Sequence, residues 1–287
     1  MLDEEHEGLE QDENEQSLLA RAHWRPQCCH CLFASRLDRQ QSRRSGSNAD
    51  EVDYQIGAVW TNGRYRRWCS KYRGGHPARD VVVSQPNQGY SGVIQYDFGK
   101  ASPSGFHRTG FINSPPSILL SVVSKMRANH LRRKSKLSEH VSKLRGLPEF
   151  TRDTVGPDVL FEATYHHAGG PTCQSCSSDK EVDRQPRESE EAVVHYGTIA
   201  SGNQVMRDGS TRDRVSAEFG CVLCFEMEAA GLMNSFPCLV IRGICDYADS
   251  HKNKRWQAYV AGTAAAYAKE VLSVIPTAKV AGVTYYR

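Results

Sequence analysis

From residue 80 onward the chain alternates between apolar runs of strand length and longer stretches with apolar positions at helical spacing, separated by glycine, proline and polar clusters. Asp80-Val-Val-Val-Ser-Gln-Pro86 reads as a buried strand stopped by proline, and Gly92-Val-Ile-Gln-Tyr-Asp-Phe98 alternates as its hairpin partner. Asn113-Ser-Pro-Pro116 opens a helical stretch, since proline is tolerated in a first turn. Ile118, Val122, Met126, Leu137, Val141 and Leu144 approximate its buried stripe, as one helix or as two, until Gly146 and Pro148 end it. His195 to Ala200 forms another predicted strand, ending in Ser201-Gly202-Asn203 before a polar turn at Asp208-Gly209; Val205, Met206 and Arg207 read as a strand or a helix start.

Two later stretches dominate the pattern. Cys221-Val-Leu-Cys-Phe-Glu226-Met-Glu228 and Leu239-Val-Ile-Arg-Gly-Ile-Cys-Asp246 are apolar runs that end in carboxylates, joined by an Ala/Gly-rich segment that reads as a helix. Consecutive buried strands joined by a helix are expected to pair in parallel through a right-handed crossover. Glu226, Glu228 and Asp246 would then gather at one rim, where open α/β sheets bind ligands. The alternative for each acid is a helix cap, because a carboxylate is favoured beside exposed N–H groups. Trp256, Val260, Ala264, Tyr267, Val271 and Val274 then repeat at helical spacing in an Ala-rich run closed by Pro276, a helix packed across the sheet.

Residues 157–191 break this regularity as a long polar, charged stretch, read as an exposed insertion. It contains His166, His167, Cys173 and Cys176. A Cys-x-x-Cys pair preceded by histidine could hold zinc, but the second pair expected of a zinc ribbon is absent, so an unmetallated surface loop is the preferred reading and no metal is expected.

The first 79 residues differ in kind. Residues 1–17 carry eight acids and no Lys or Arg, whereas residues 18–79 carry twelve basic residues against four acidic ones, with three of the four tryptophans and four of the ten cysteines. Neither a helical nor a strand period persists there. The abrupt return to regular sequence at Asp80 is what a shifted reading frame or a mis-assigned intron produces. This part is therefore expected to be incomplete or disordered, outside a packed core. Arginines among Trp24, Tyr65, Trp68 and Tyr72 could grip single-stranded nucleic acid, and Cys28, Cys29, His30, Cys31, Cys69 and His76 could bind zinc. Adjacent cysteines lack the usual ligand spacing, however, and a disordered basic segment competes with both readings. The basic run from Lys125 to Lys143 reads as a solvated helix face, and nucleic acid is not an expected partner.

Composition adds limits. At 287 residues and 39% hydrophobic the chain can bury a sizeable core. No apolar run approaches the roughly 20 residues that span a bilayer, and the acidic Met1-Leu-Asp-Glu-Glu5 is unlike a signal peptide, so a cytoplasmic protein is expected. The cysteines at 221, 224, 238 and 245 fall in predicted core strands, where free thiols behave as small apolar groups in a reducing compartment.

Phe225-Glu-Met-Glu-Ala-Ala-Gly231, followed by Val240-Ile-Arg-Gly-Ile-Cys-Asp-Tyr-Ala-Asp249, resembles the signature of the nucleoside phosphorylase and nucleosidase superfamily. Together with residues 80–86 and 195–206 the likeness is most marked to the phosphorylase-like domains that head fungal NLR-type proteins, and it covers about residues 80–276. The resemblance implies a single three-layer α/β domain, a central mixed sheet flanked by helices, with residues 277–287 as a linker or tail. It also implies that the chain begins late: the family's first strand, the glutamate that activates water after it, and the glycine-rich phosphate loop have no counterpart.

The implied activity is cleavage of the N-glycosidic bond of purine nucleosides or nucleotides, with no cofactor and with phosphate as a candidate co-substrate. Asp246 would donate a proton to the leaving base, Glu228 would accept hydrogen bonds from the ribose hydroxyls and Met227 would pack on the sugar. Phe225, Ser201, Asn203 and Glu226 would line the ribose and base site. Arg242 is a candidate phosphate ligand, with pairing to Asp246 or Asp249 as the competing role. A homo-oligomer is implied by the family, and the alternative function is an inactive nucleoside-sensing or effector module of an NLR-like signalling protein.

Overall fold

The computed structural model describes residues 79–87, 89–184, 187, 189 and 191–275, together with the backbone of residues 63–64. Apart from residues 63–64 and 79, the expectations for the first 79 residues, including the stacking aromatics and the Cys/His cluster, lie outside the described residues, as does the tail 277–287. In chain order the elements are β1 (Gly63–Arg64), β2 (Val81–Ser84), β3 (Val93–Gln95), β4 (Gly99–Ser102), β5 (Gly105–Arg108), α1 (Ser117–Leu131) and α2 (Leu137–Ser142). They continue with β6 (Val194–Gly197), β7 (Ile199–Ser201), α3 (Gly209–Glu218), β8 (Cys224–Glu226), α4 (Ala229–Met233), β9 (Ile241–Asp246) and α5 (Trp256–Val274). Among the described residues no helix is long and apolar enough to cross a membrane.

The fold is mixed α/β, with a sheet in the order β3-β7-β8-β1-β9-β2-β6. β2 alternates in the manner a central strand requires. Val81 and Val83 pack with Leu119, Val123 and Met126 of α1 and with Ala264, Tyr267 and Val271 of α5, whereas Val82 joins Cys224, Val240 and Ile244 on the opposite face with Ala229 and Met233 of α4. The alternate positions of β3, β7 and β8 turn the other way: Val93, Ile199 and Cys224 join the Val82 cluster, while Ile94, Ala200 and Phe225 pack with Val215 of α3. The result is three layers, as expected. Only Thr198 separates β6 from β7, yet β6 ends the strand order and β7 stands next to its other end, so the sheet curls until the two ends meet at this buried residue.

Three local expectations are corrected. β2 and β3 do not form a hairpin: β2 is buried throughout and needs neighbours on both sides, pairing parallel with β6 and antiparallel with β9, while β3 pairs parallel with β7. The hairpin that does form is β4–β5, whose exposed Gly-Lys-Ala-Ser and Gly-Phe-His-Arg carry little apolar signal. Second, β8 and β9 are not parallel neighbours. β1 stands between them, antiparallel to β8 and parallel to β9, so β8 and β9 run in opposite directions. With three residues in β8 and five in α4, the connection turns the chain rather than carrying it back over the sheet. β1 comes from the arginine-rich block and thus places two of its residues in the middle of the sheet. Third, Cys221 precedes β8 with φ +89° and is disulfide-bonded, while Cys224, Cys238 and Cys245 are buried free thiols as expected.

Residues 205–207 form neither strand nor helix; Asp208 caps α3 by accepting from the Ser210 N–H at 2.9 Å. The stripe predicted for 118–144 divides into α1 and α2, with Val122, Met126, Leu137 and Leu144 buried and Ile118 and Val141 partly so. Trp256, Val260, Ala264, Tyr267 and Val271 bury the inner face of α5.

Two substitutions test this packing. A Cβ on Gly243 of β9 would lie 2.1 Å from the Val260 carbonyl oxygen of α5, whereas one on Gly231 meets nothing within 4 Å. Gly243→Ala should therefore lower the unfolding free energy by about 3 kcal/mol, and Gly231→Ala should leave it unchanged or raise it by about 0.5–1 kcal/mol, both read from denaturant midpoints. The second test concerns Asp80, which is fully buried and accepts from His195 Nε2 at 2.9 Å, Arg187 at 2.9 Å and the Val193 N–H at 3.1 Å. Burial raises its pKa, but the hydrogen bond and charge of His195, with Arg187, outweigh it and hold the carboxyl below its ordinary 3.8. A lowered folded value means that this contribution is fully present above pH 3.8 and is lost as pH falls through the folded value. Asp80→Asn should cost about 3–5 kcal/mol at neutral pH by removing the buried carboxylate that faces Arg187 and His195, and should flatten the acid limb of the stability–pH curve.

Candidate functional site

Three parallel strands end together. β3, β7 and β8 are in register, with Gln95 opposite Ser201 and Ser201 opposite Glu226, so the residues that follow leave the sheet along one rim. Those residues are Tyr96 and Asp97, Gly202 and Asn203, and Met227 and Glu228. The carboxyl ends of parallel strands are where an open sheet offers backbone groups and side chains to a ligand. The three segments are stitched to one another: Asp97 accepts from the Asn203 N–H, Tyr96 donates to the Gln204 carbonyl at 3.3 Å and the Gly202 N–H donates to the Glu226 carbonyl at 3.0 Å.

Glu226 and Glu228 have different surroundings. Glu226 has no exposed side-chain surface; its Oε2 accepts from the N–H groups of Glu228 at 3.0 Å and Ala229 at 2.8 Å, at the start of α4. This is the capping role foreseen as the alternative. Burial pushes its pKa up, against the charge of Arg242 and a hydrogen bond from Ser201. Ser201 is itself buried, and its Oγ also accepts from the Ala230 N–H at 3.0 Å. The Glu228 side chain keeps 14% of its surface exposed, enough for one face of the carboxylate to meet a ligand. Met227 beside it is 41% exposed, and Asn203 is exposed on the neighbouring strand end.

Arg242 joins the two glutamates. Its guanidinium is fully buried, with Nη1 3.3 Å from Glu226 Oε2 and 3.5 Å from Glu228 Oε2. The sequence expectation of pairing with Asp246 or Asp249 is corrected: β9 runs opposite to β8, so Arg242 near its beginning, rather than Asp246 at its end, comes level with the glutamates. A cation without exposed surface and engaged by two carboxylates is not open to an incoming phosphate.

Asp246 belongs to a second group in the loop after β9. Its Oδ1 accepts from the Ala248 N–H at 3.0 Å, and its charge acts on Asp249. Asp249 accepts from the His251 N–H at 2.8 Å and lies 4.0 Å from Arg212 Nη1. Burial raises its pKa to about 6. Phe225 and Asp246 oppose the same β1 residue, Arg64, and so lie level, about 10 Å apart across two strand spacings. The expected single rim of Glu226, Glu228 and Asp246 thus resolves into a glutamate pair at one strand edge and an aspartate loop beyond Phe225. Phe225 itself is buried, edge-on to Tyr96 with ring centroids 5.6 Å apart.

A cavity of about 730 Å³ opens beside Tyr96, walled by Asp97, Gln204, Met206, Asp208 and Phe219. Its size is that of a small-molecule pocket. Sequence reasoning missed Tyr96, Asp97 and Arg212, which no motif marks; Arg212 in particular reads as an ordinary helix-surface arginine, yet it is fully buried. The remaining predicted group, His167, Cys173 and Cys176, does come together, each offering a ligand atom within 4.8 Å of the others.

No family model matches the chain. Over 199 residues it is 44% identical to a nucleotide-binding leucine-rich repeat (NLR)-like protein of Hyaloscypha variabilis, an overlap of 68% of this chain and 20% of that protein. Over 98 residues it is 35% identical to the 5′-methylthioadenosine/S-adenosylhomocysteine nucleosidase of Mycobacterium tuberculosis, covering 32% of this chain and 36% of the nucleosidase. The chain therefore spans well under two thirds of the length of either relative. Among solved structures, the Helicobacter pylori nucleosidase with 5′-methylthioadenosine in its active site aligns over 75% of this chain and 69% of its own, at 16% identity and a TM-score of 0.41. Futalosine hydrolase from the same organism aligns over 74% and 66%, at 16% identity and a TM-score of 0.38. On these sequence relatives the chain belongs to the nucleoside phosphorylase and nucleosidase superfamily, with a link to fungal NLR-like proteins.

Proposed function

We propose that this domain binds a purine nucleoside or nucleotide at the rim of β3, β7 and β8 and cleaves its N-glycosidic bond. The observation that carries the reading is the in-register ending of those strands: the half-buried Glu228, exposed Met227 and Asn203 follow strand ends on one rim, and Tyr96, Asp97 and Gln204 of the same rim line a cavity of about 730 Å³. An ionised carboxylate only accepts hydrogen bonds, which suits the vicinal hydroxyls of a ribose, and the buried Arg242 guanidinium lies 3.5 Å from Glu228 Oε2. Met227 packs on the sugar. Glu226 does not touch the ligand: with its carboxylate spent on α4 and Arg242, it fixes the backbone that presents Glu228.

Cleavage needs a proton for the base, because a neutral purine is a poor leaving group. Asp246, level with Phe225, gives its carboxyl proton to N7 while the C1′–N9 electron pair goes to N9. An oxygen of water or phosphate bonds to C1′; where water attacks, its proton passes to solvent, from which the Asp246 carboxylate is reprotonated. The positive charge developing on the sugar is stabilised by the carboxylates around it.

A second reading is favoured by the length relation: this chain matches 20% of an NLR-like protein, as a binding module within a larger signalling chain would. In that reading the site holds a nucleoside without turnover.

Incubation with adenosine, inosine and ATP, with and without phosphate, separates these readings. Base released only with phosphate means phosphorolysis, base released without it means hydrolysis, and saturable nucleoside binding without base release means the second reading. If base is released, Asp246→Asn should slow it on the order of 10²–10⁴-fold. Glu228→Ala should lower kcat/KM by roughly 10–10²-fold, as loss of a hydrogen bond to a charged group does. Undiminished turnover in both variants overturns the site.

A further inference from the structure

We propose that the insertion carries a zinc site built from His167, Cys173 and Cys176, with His251 as fourth donor, which clamps the insertion to the loop after β9. The donor chemistry points to zinc: two thiols and an imidazole form the borderline-soft set that this ion takes in closed structural sites. One ligand atom from each of the three residues lies within 4.8 Å of the others. Donors on a tetrahedral zinc stand about 3.5–3.8 Å apart, so the trio need only close by about 1 Å around an ion.

The local backbone is formed for the purpose. Residues 173–175 make a single 3-10 turn, and the Cys176 N–H returns to the Cys173 carbonyl at 3.0 Å, which brings the two thiols to one side. His167 has its ring set by its own loop: Nε2 donates to the Thr172 carbonyl at 3.1 Å, as the second nitrogen of a metal-bound imidazole does, and Nδ1 accepts from the Gly169 N–H at 3.0 Å. An ion at Nδ1 would take the place of that Gly169 N–H.

His251 supplies an independent observation. Its side chain is almost wholly buried, yet neither ring nitrogen has a hydrogen-bond partner among the described residues. An unsatisfied buried imidazole costs about 1–3 kcal/mol, and such groups call for an unseen partner. Its ring centroid stands 5.4 Å from that of His167, and two imidazoles on one tetrahedral ion place their rings about 5 Å apart. Phe161 and Tyr165 stack on the His251 ring, and Asp249 Oδ1 lies 3.8 Å from its Nδ1, the position of a carboxylate that orients a ligand histidine.

The insertion needs such a clamp. From residue 165 to 180 it has only short 3-10 turns and largely exposed side chains, with Leu160 and Phe161 as the buried anchors at its root. The His167 N–H already reaches Ser250 Oγ at 2.9 Å, so an ion on these ligands would fasten the insertion to the segment that carries Asp246 and Asp249.

The test uses the chain purified without a metal-affinity tag from zinc-supplemented cells. Elemental analysis should find about one more zinc per chain in the wild type than in the Cys173→Ser/Cys176→Ser variant. Equal contents would overturn the site. Because that variant could fail to fold, Co²⁺ is also titrated into chelator-stripped wild-type protein: intense tetrahedral d–d bands with a thiolate charge-transfer band support the proposal, and weak octahedral absorption refutes it. His251→Ala should weaken zinc in chelator competition by about 10-fold or more. An unchanged affinity would remove His251 from the ligand set.

Discussion

A guanidinium with no exposed surface, held between two glutamates where a sheet ends, is the interaction on which the rest of this domain depends. Burying Arg242 forfeits its hydration, a cost that only close countercharges offset. Glu226 supplies one of them and is in turn held by the first N–H groups of α4. The exposed donors of a helix start and a buried cation thus meet on one carboxylate oxygen, Glu226 Oε2, each offsetting part of the cost of burying the others. Glu228 gains most from this arrangement. It receives charge stabilisation from Arg242 without giving up its access to solvent, which distinguishes a carboxylate able to meet a ligand from one that only supports the fold.

The direction of β9 governs what else can reach the rim. Since β9 enters the sheet where β8 leaves it, its first half delivers Arg242 to the glutamates and its last residue delivers Asp246 beyond Phe225. A ligand that used both ends would lie across the strands rather than along them. The roughly 10 Å between Phe225 and Asp246 matches the long dimension of a small bound molecule more closely than that of a single functional group.

What the sequence made legible follows from where the physics is local. Runs such as Val81-Val-Val-Ser84 and Ile241-Arg-Gly-Ile-Cys-Asp246 are buried along their whole length, so composition alone marks them as strands, and the Ala-rich period of α5 marks a helix against the sheet. Pairing is not local. Nothing within Cys224-Phe-Glu226 says that its neighbour is drawn from residues 63–64, or that Val93-Ile-Gln95 would leave its apparent hairpin partner for Ile199-Ala-Ser201. The carboxylates at strand ends were readable as a candidate site; which of them is a cap depended on the N–H groups of α4 and could not be read. Arg212 shows the same limit, because an arginine bound to Asp249 and to the Tyr247 carbonyl looks in sequence like any basic residue of a polar helix.

The loop that carries Asp246 is held by more than its own preference. Ala248 has φ +57°, a conformation that costs a non-glycine residue roughly 1–2 kcal/mol, and it is this turn that directs its N–H to Asp246 Oδ1. The surroundings enforce it from both sides. Arg212 holds the Tyr247 carbonyl, while the Tyr247 hydroxyl donates to Asp158 at 2.6 Å and accepts from Arg184 at 2.6 Å. Asp158 and Arg184 lie in the insertion, so the charged segment that resembles a dispensable surface loop supplies the anchors of the aspartate turn. Strain retained at one residue is opposed here by several independent contacts, which is the condition under which such a conformation persists. The shape of the Asp246 turn therefore depends on the insertion as much as on β9.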